Sequence, residues 1–469
     1  MVESNILNLN NTKHVHFIGI GGISMSGLAE ILLDMGYKIS GSDINSSNLT
    51  AKLSEKGVKV YIGHSEENIK NPDLVVYTAA VKESNPELKK SKSLKIPVME
   101  RSALLGEIMK IFPYSINVSG THGKTTTTSM VSMILLECGL NPTIHVGGEL
   151  DAIGGNTKIG ENKYFVSEAC EYAEGFLKYN PFLAVVLNIE EDHLDFFKDI
   201  EHIKSSFLKF ISLVPREGYV IANYDDENIV SILEKANCNK ITYGITSKEA
   251  MWKAKDIAYN HSGCASFWIY KNDEKIINIT LKVPGVHNVS NALAAISACH
   301  ALGCDIEDIK AGLESYTGTH RRFELKGMIN DIKVVDDYAH HPSEVKATLK
   351  ACKNSSYRKI WCVFQPHTYT RTKHLLNEFK DAFYDADTII VSDIYAAREK
   401  DTGEVHSSML VDKIKASNKN VLYMPDFESI VQHLNEHASP GDLVITMGAG
   451  NINSVGEMFL KTKKIVAVS

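Results

Sequence analysis

The sequence predicts an α/β protein built from three domains, and three observations lead to this prediction. Short apolar runs, separated by helix-like stretches, recur about every twenty residues from position 14 onward, which is typical of βαβ units in a parallel sheet. A strand, a glycine-rich loop and a helix follow one another across residues 114–139. A chain of 469 residues is also too long for a single hydrophobic core.

The domain boundaries are placed where this pattern changes along the chain. We expect a Rossmann-like domain over residues 1–112, a central domain like that of P-loop ATPases over 113–320, and a second Rossmann-like domain over 321–469. The central domain is expected to contain a parallel sheet with a small antiparallel insertion. Pro113 marks the first boundary, because a helix-like stretch ends before it and a strand begins after it.

The individual elements follow from the apolar runs. In the first domain we expect strands at 14–18, 37–40, 58–62, 74–78 and 96–99, with a helix over 101–111. In the central domain we expect strands at 114–118, 164–168, 182–188, 219–223 and 240–243. Residues 252–282 predict two antiparallel strands around a polar turn, and a helix follows that ends at Gly303. In the third domain we expect strands at 332–336, 359–364, 388–393 and 442–447, and helices over 343–353 and 371–383.

Composition excludes several classes of protein. The formal net charge of −7 argues against a nucleic-acid partner, because phosphate contacts need a basic surface. The longest apolar runs have about six residues, far fewer than a membrane span requires, so no membrane insertion is expected. The eight cysteines are scattered, and residues 1–17 contain no apolar core of signal-peptide length, so we expect a cytoplasmic protein. The sequence leaves open whether it is a monomer or a homodimer.

The first glycine loop, within "FIGIGGISMSGLAEIL", follows a strand and opens a helix. Gly19, Gly21 and Gly22 have the context of a dinucleotide-binding loop, and Asp43 ends the next strand, where a ribose partner is expected. Ser24 stands where the third glycine of the dinucleotide pattern belongs. The loop therefore predicts diphosphate binding at a helix N-terminus, and it leaves open whether the nucleotide is NAD or a uridine diphosphate.

The second glycine loop, within "NVSGTHGKTTTTSM", is the stronger signal for a nucleoside triphosphate. Val118 stands where the first glycine of the strict P-loop pattern belongs, but Gly120 and Gly123 still allow backbone N–H groups to close on phosphate oxygens. Lys124 is expected to neutralise charge on the phosphates, and the hydroxyl group of Thr125 is a candidate ligand of Mg²⁺.

Acidic side chains follow two of the predicted strands of the central domain. Because the carboxyl ends of parallel strands form the ligand-binding edge of an open sheet, these groups are candidates for a magnesium site. Chemistry alone does not choose among the candidates, which are four acidic residues and the histidine that follows them: Glu168, Glu190, Glu191, Asp192 and His193.

Six motifs in this order resemble those of the Mur ligases, and the resemblance covers essentially the whole chain. They are "GTHGKTTTT", "EACEY", "NIEEDHLD", "GVHNVSNALAA", "DDYAHHP" and "FQPHTYTRT", of which the last two point to the alanine-adding branch. The resemblance implies ATP-dependent ligation of L-alanine to the carboxylate of UDP-N-acetylmuramate through an acyl phosphate, in peptidoglycan precursor biosynthesis. ATP and Mg²⁺ are the implied cofactors.

The resemblance also implies a role for each motif. The first domain is expected to bind the UDP sugar through Gly19, Gly21, Gly22, Ile23, Ser24, Ser42, Asp43 and His64. The central domain is expected to bind ATP through Gly120, Thr121, His122, Gly123, Lys124, Thr125, Thr126, His287, Asn288 and Asn291. The implied magnesium ligands are Thr125, Glu168 and His193.

The third domain is expected to bind the amino acid. The implied pocket contains Asp337, Tyr338, His340, His341, His367 and Arg371. Arg322 is favoured over Arg321 as the arginine that reaches the γ-phosphate. Arg371 is expected to grip the alanine carboxylate, because its planar fork suits bidentate binding, and His340 is expected to titrate near neutrality and to act as the base. The catalytic set is therefore Lys124, Glu168, His193, Arg322, His340 and Arg371.

Three residues depart from the family pattern, and two other functions remain open. Thr368, Cys170 and Tyr172 stand where many members have an arginine, an acidic residue and a serine. The nearest alternative is the ligase of the same family that re-attaches a murein tripeptide to UDP-N-acetylmuramate. From another class, an NAD-dependent oxidoreductase is possible on the first glycine loop alone, although it leaves Lys124 without a role.

Overall fold

The computed structural model describes residues 12–78, 80–397, 399–417 and 420–462. Within them the chain forms three α/β domains, each around its own sheet, which confirms the predicted fold class. The N-terminal stretch on which the expected localisation partly rests begins outside the described residues. No helix in the described part of the chain has the length and apolar character needed to cross a lipid bilayer.

The first domain is a five-stranded parallel sheet with the order β3-β2-β1-β4-β5. Its strand order places the switch point between β1 and β4, beside the first glycine loop, as in doubly wound folds. The strands are β1 (His14–Ile18), β2 (Lys38–Asp43), β3 (Lys59–Ile62), β4 (Leu74–Tyr77) and β5 (Val98–Glu100). The helices are α1 (Ile23–Asp34), α2 (Asn48–Glu55), α3 (Pro86–Ser93) and α4 (Arg101–Met109).

The central domain contains a ten-stranded sheet, ordered β15-β14-β13-β12-β11-β10-β6-β9-β7-β8. The strands are β6 (Tyr114–Ser119), β7 (Thr143–Leu150), β8 (Gly155–Lys158), β9 (Tyr164–Ala169), β10 (Leu183–Val186), β11 (Tyr219–Asn223), β12 (Asn239–Gly244), β13 (Trp252–Tyr259), β14 (Cys264–Lys271) and β15 (Glu274–Pro284). The helices are α5 (Lys124–Glu137), α6 (Ile200–Ile211), α7 (Glu227–Leu233), α8 (Val286–Ala301) and α9 (Ile306–Ser315). Helices α5 and α8 pack in one core, where Leu135 and Ile296 are fully buried.

The expected pair of antiparallel strands is present, and a third strand that was not predicted accompanies it. The two predicted strands are β14 and β15, but β13 precedes them and pairs in parallel with β12, so all three extend the central sheet. Strand β13 was not predicted because the buried and exposed residues along it do not alternate regularly. Its register shifts between Lys255 and Ala258, and Asp256 within this bulge has a positive φ of 55°.

The third domain is a six-stranded sheet ordered β16-β17-β21-β18-β19-β20, in which only β16 runs antiparallel to its neighbour. The strands are β16 (Glu324–Ile329), β17 (Ile332–Asp337), β18 (Ile360–Phe364), β19 (Thr388–Val391), β20 (Val421–Tyr423) and β21 (Leu443–Met447). The helices are α10 (Pro342–Lys353), α11 (Tyr369–His374), α12 (Phe379–Ala382), α13 (Ser407–Lys415), α14 (Phe427–His437) and α15 (Asn453–Thr462). The single helix predicted over 371–383 is therefore two short helices, and Leu375 and Phe379 both reach the core across the interruption.

The first and central domains pack closely through glycines that leave no room for a side chain. A Cβ atom on Gly27 of α1 would lie 2.2 Å from Thr157 Oγ1, and one on Gly106 of α4 would lie 1.9 Å from the carbonyl oxygen of Lys178. The Asn180 side chain also donates a hydrogen bond of 3.0 Å to the Gly106 carbonyl oxygen. Helices α1 and α4 are therefore seated directly on the central domain.

Candidate active site

The second glycine loop lies between β6 and α5, at the carboxyl edge of the central sheet. Gly120 and Gly123 have φ angles of 140° and 81°, which L side chains rarely adopt. A Cβ atom on Gly123 would also lie 2.7 Å from Asn291 Oδ1. Glycine at position 123 thus allows the loop to pass close to Asn291 of α8 as it turns into α5.

Lys124 is folded back into its own loop and onto a buried carboxylate. Its Nζ donates to the carbonyl oxygens of Gly120 and Thr121 and lies 3.1 Å from Glu171 Oε2. Burial lowers the pKa of Lys124, but the carboxylate of Glu171 outweighs this effect and the pKa is raised above its ordinary value. The lysine is therefore charged, and Glu171 neutralises it.

Glu171 also lies near His193, so the two residues expected to meet ATP and Mg²⁺ share one carboxylate. His193 Nε2 is 3.9 Å from Glu171 Oε1, and the His193 ring packs on Tyr172 with the ring centroids 4.8 Å apart. Sequence reasoning did not nominate Glu171, although it is the second acidic residue of "EACEY". The sequence offers one signal for this residue, because two glutamates lie at the end of a strand with the apolar pattern of a buried one. In the structure Glu171 is only 4% exposed.

The structure reduces the number of acidic residues that are candidates for the magnesium site. Glu190 contacts His122, and Asp192 pairs with Arg371, so both carboxylates already have cationic or hydrogen-bonding partners. Glu168 ends β9 and accepts a hydrogen bond of 2.6 Å only from the Gly147 backbone, among the contacts of the described residues. A carboxylate fits the preference of Mg²⁺ for oxygen ligands, so Glu168 remains a candidate.

Arg322, rather than Arg321, points at the phosphate loop. Arg322 Nη2 lies 3.4 Å from Thr125 Oγ1, across the boundary between the central and third domains. Arg321 instead pairs with Asp336 at 3.0 Å and donates to the Gly448 carbonyl oxygen. The local geometry therefore agrees with the choice of Arg322 made from the family pattern.

A cavity of about 220 Å³ lies beside the loop, between α8 and the third domain. His287, Asn288 and Asn291 all line it, together with His122 and Gly123. Asn291 donates to Asn288 Oδ1 at 3.1 Å, and Asn288 donates to the Pro284 carbonyl oxygen, so the two amides are held on one face. Burial lowers the pKa of His287 to about 4, so this ring is neutral.

His122 links the phosphate loop to the third domain. Its two ring nitrogens lie 3.3 Å from Glu190 Oε2 and 3.3 Å from Glu344 Oε1, the latter on α10. Burial lowers the pKa of His122, but the two carboxylates raise it to about 9 overall. Ser343 of α10 also donates to Glu190, so an imidazolium and two carboxylates join the two domains here.

Arg371 and Asp192 form a second link between these domains. Arg371 Nη2 lies 2.9 Å from Asp192 Oδ1, and Arg371 Nε lies 3.1 Å from the same oxygen. Arg371 Nη1 donates to His367 Nδ1 at 3.1 Å. Burial favours the neutral form of Asp192, but His193 and Arg371 hold its pKa below its ordinary value. The pair lines a cavity of about 80 Å³ together with His193 and His367.

His340 does not titrate near neutrality, which corrects the premise on which it was chosen as a base. Burial is the main cause that lowers its pKa to about 3, and the nearby Glu344 only partly opposes it. His340 Nδ1 lies 2.9 Å from the Tyr338 carbonyl oxygen, which only accepts, so Nδ1 carries the proton. The other nitrogen, Nε2, is therefore an unprotonated acceptor.

The structure brings together four of the six residues expected in one amino-acid pocket. The His340 ring centroid lies 5.4 Å from that of Tyr338 and 5.6 Å from that of His367, and His367 contacts Arg371. Arg371 and His367 line the smaller cavity with Asp192, whereas Asp337 lines the larger one beside the phosphate loop. The His341 ring packs on the His122 ring with the centroids 4.6 Å apart.

The first glycine loop is held by its own side-chain partners. Gly21 N donates to Asp43 Oδ2 at 2.8 Å, so the expected ribose partner also fixes the loop. Ser24 Oγ lies 2.8 Å from His145 Nε2 of the central domain and accepts from Arg101. The serine at the position of the third glycine therefore connects this loop to the central domain.

Ser42 and His64, the other expected UDP-sugar residues, lie together around one buried acid. Ser42 Oγ is 3.0 Å from His64 Nδ1, and both contact Oε2 of Glu87. Glu87 is fully buried and was not predicted as part of this site. Its signal is weak, because "NPELKK" is indistinguishable from an ordinary amphipathic helix start.

The departures from the family pattern have defined structural places. Thr368 has a φ of 66°, and its hydroxyl group accepts from the Arg371 backbone N–H at 3.4 Å as the N-cap of α11. Tyr172 donates to Asp195 at 3.2 Å. Burial raises the pKa of the Cys170 thiol above its ordinary value, so this thiol stays neutral beside Lys124.

Three family models match this chain in succession. They are the Mur ligase family catalytic domain over residues 14–113, the Mur ligase middle domain over 118–299 and the Mur ligase glutamate ligase domain over 321–450.

Named relatives match over nearly the whole length. A UDP-N-acetylmuramate–L-alanine ligase of Acetivibrio thermocellus is 68% identical over 469 residues, which is 100% of both chains. A ligase of the same name from Caldanaerobacter subterraneus is 52% identical and covers 98% of this chain and 99% of its own.

Solved structures show the same fold. The UDP-N-acetylmuramate–alanine ligase of Thermotoga maritima superposes with a TM-score of 0.83 at 29% identity, over 97% of this chain and 100% of its own. A murein peptide ligase of Psychrobacter arcticus superposes with a TM-score of 0.73 at 26% identity, over 96% and 98% of the two chains.

Proposed function

This chain belongs to the Mur ligase family, and from that premise we propose how its residues divide the work of the reaction. The protein is an ATP-dependent ligase that joins L-alanine to UDP-N-acetylmuramate in peptidoglycan synthesis. The observation that best supports the proposed division is that two charged pairs, Lys124–Glu171 and Arg371–Asp192, lie on either side of His193. The first is on the phosphate loop and the second reaches the third domain.

The first step that we propose is phosphorylation of the muramyl carboxylate. A carboxylate oxygen attacks the γ-phosphorus of ATP, the bond to the β-phosphate oxygen breaks, and ADP leaves with that electron pair. Lys124 exchanges Glu171 for the phosphate oxygens, and Arg322 adds a second positive charge from the third domain. Fixed charges at these places stabilise the transferring group, because they need not reorganise during the reaction.

Thr125, Glu168 and His193 are proposed to hold Mg²⁺. The hydroxyl group of Thr125, in the first turn of α5, and the carboxylate of Glu168, near the end of β9, are oxygen donors, which suits this ion, while an imidazole is an unusual partner. When bound, the ion neutralises charge on the phosphates and orients them for in-line transfer. Thr125 already lies beside Arg322, so the chain's own charges meet at the same place.

In the second proposed step, the amine of alanine attacks the acyl carbon. Phosphate leaves with the electron pair of the broken carbon–oxygen bond. The ammonium nitrogen loses two protons to give the amide, one to the departing phosphate and one to solvent. Arg371 is proposed to bind the alanine carboxylate. Because His340 is neutral and its Nε2 accepts, it is proposed to receive a hydrogen bond from the amine rather than to store a proton at neutral pH.

UDP-N-acetylmuramate is proposed to bind the first domain, and ATP the cavity beside α8. The expected cytoplasmic location and the alternatives of monomer and homodimer stay predictions.

The oxidoreductase interpretation has no support among the relatives described above. The tripeptide ligase alternative differs only in the amine, and the relatives at 52% and 68% identity are named for alanine.

One experiment tests the function directly. ADP release is measured with UDP-N-acetylmuramate and ATP, in the presence of L-alanine, of a murein tripeptide, or of neither. We expect release that depends on L-alanine. Release that depends on the tripeptide alone would assign the chain to the recycling branch instead.

A further inference from the structure

The Arg371–Asp192 ion pair closes the small cavity between the central and third domains. Both side chains are only 10% exposed. Arg371 uses Nε and Nη2 toward Asp192, so the carboxylate of Asp192 occupies the face that a ligand carboxylate would need. The proposed function assigns Arg371 to the carboxylate of the amino acid and His340 to its amine, and it leaves the positive charge of the ammonium group without a counter-charge.

We propose that Asp192 holds the ammonium group of the incoming amino acid, which binds by inserting its two charges between Asp192 and Arg371. This inference rests on the proposed function of the cavity as the amino-acid site. The ligand carboxylate takes the place of Asp192 on the guanidinium, and the ligand ammonium takes the place of the guanidinium on Asp192. Neither buried ion is left without a partner.

Charge pairing explains why a zwitterion is the suitable ligand class. Breaking a buried ion pair by removing one partner is strongly unfavourable, because the remaining charge stays buried and uncompensated. An anion of the same shape would pair with Arg371 and leave Asp192 alone, and a cation would leave Arg371 alone. The pair therefore discriminates against both kinds of ligand without any change in the shape of the cavity.

The surroundings hold both charges in place during this exchange. Asp192 Oδ1 accepts a hydrogen bond of 2.7 Å from the His193 backbone N–H, which fixes the carboxylate. His367 accepts from Arg371 Nη1, which fixes the other side of the guanidinium. His193 lines the same cavity, so an ammonium group on Asp192 would lie next to a residue that we place at the phosphoryl-transfer centre.

L-Lactate provides a matched probe, because it has the shape of L-alanine with a hydroxyl group in place of the ammonium. The inhibition constant of L-lactate against alanine-dependent ADP release is measured beside the KM for L-alanine, in the wild type and in Asp192→Asn. We expect the substitution to raise the KM for alanine and to lower the inhibition constant of lactate. The ratio of the two constants should change by at least about tenfold, which corresponds to about 1.4 kcal/mol. A merely structural role would weaken both ligands together.

The reciprocal variant keeps the test decisive if Asp192→Asn does not fold. L-Alaninamide retains the ammonium group of alanine and lacks its carboxylate. The affinity for L-alaninamide divided by the affinity for L-alanine should be higher in Arg371→Gln than in the wild type. Asp195→Asn is the control, since it removes a carboxylate that lines the same cavity and bonds to Tyr172 rather than to an arginine. It should leave both ratios unchanged.

The outcomes separate this inference from the proposed function. If the wild type releases no ADP in response to L-alanine, the proposed function fails. If the wild type uses alanine but neither variant changes its ligand ratio, the proposed function stands and Asp192 does not hold the ammonium group. A change of equal size in Asp195→Asn would likewise overturn the assignment to Asp192.

Discussion

Nζ of Lys124 lies 3.1 Å from Oε2 of Glu171, and the two side chains are 16% and 5% exposed. The cation expected to meet the γ-phosphate is thus neutralised inside the protein when no nucleotide is bound. Binding of ATP then replaces one anionic partner by another, so the lysine is never buried without a counter-charge.

Lys124→Ala is expected to lower kcat for ADP release by about 10²-fold or more, because it removes a charge directed at the transferring phosphoryl group. Steady-state kinetics on the folded variant measures this. Lys110→Ala is the control, since that lysine pairs with Glu107 on the helix surface and its loss should leave kcat unchanged. Near-normal turnover by folded Lys124→Ala would remove the lysine from the mechanism.

The Lys124–Glu171 pair also predicts that the loss of stability differs between the single variant of Lys124 and the double variant of both residues. Lys124→Ala leaves the carboxylate of Glu171 buried and unpaired, so its thermal unfolding temperature should fall. Adding Glu171→Gln should restore part of that temperature, because the uncompensated charge is gone. Differential scanning calorimetry compares the two. Equal unfolding temperatures would mean that Glu171 finds another partner.

The first glycine loop is expected to bind a uridine diphosphate sugar and not NAD. Ser24 replaces the third glycine and is already engaged with His145 and Arg101, which suits a short diphosphate more than an extended dinucleotide. Isothermal titration with UDP-N-acetylmuramate and with NAD decides between them. Binding of NAD without binding of the UDP sugar would reinstate the oxidoreductase interpretation.

Arg371→Ala is expected to raise the KM for L-alanine strongly and the KM for ATP little. A bidentate guanidinium–carboxylate contact is lost, while the phosphate loop is untouched. Each substrate is varied in turn at saturating levels of the others. If the alanine KM is unchanged, or if both constants rise equally, the amino-acid carboxylate binds elsewhere in the third domain.

His122 predicts a loss of stability as the pH rises. Its folded pKa of about 9 lies above the ordinary value of 6.5, so its stabilising contribution is complete below 6.5 and disappears as the pH rises through 9. Since one pKa unit corresponds to about 1.4 kcal/mol, the contribution is on the order of 3 kcal/mol at most. The free energy of unfolding of wild type and His122→Gln is compared at both ends of this range. The difference should be larger at the acidic end, and a difference that grows toward alkaline pH contradicts the assignment.

The phosphate loop was accessible from sequence because its signal is local. A strand, two glycines, a lysine and a helix occur within a short stretch, and the structure forms β6, the turn and α5 there. The partners of that loop were not accessible. Glu171 is 47 positions away from Lys124 and approaches it only because β9 pairs in parallel with β6, with Glu168 opposite Val118. Asp192 is 179 positions away from Arg371.

The state of His340 was also beyond reach of the sequence. Its motif indicates a histidine near strand β17, but burial and the Tyr338 carbonyl oxygen decide its protonation, and both depend on tertiary packing. The placement of Asp337 and Arg371 in two different cavities depends on tertiary packing in the same way. Motifs therefore indicate which residues take part, while their pairing requires the assembled sheets.

The close seating of α1 and α4 on the central domain has an evolutionary consequence. Gly27 and Gly106 allow the first two domains to pack closely, which holds the sugar site and the phosphate loop in a fixed relation. The third domain instead meets the central domain through charged side chains such as Arg371 and Glu344. Selection for a different amine can therefore act on the surroundings of Arg371 in the third domain while the relation between the sugar site and the phosphate loop is inherited unchanged. The shared fold of the alanine ligase and the murein peptide ligase is the outcome expected from such divergence.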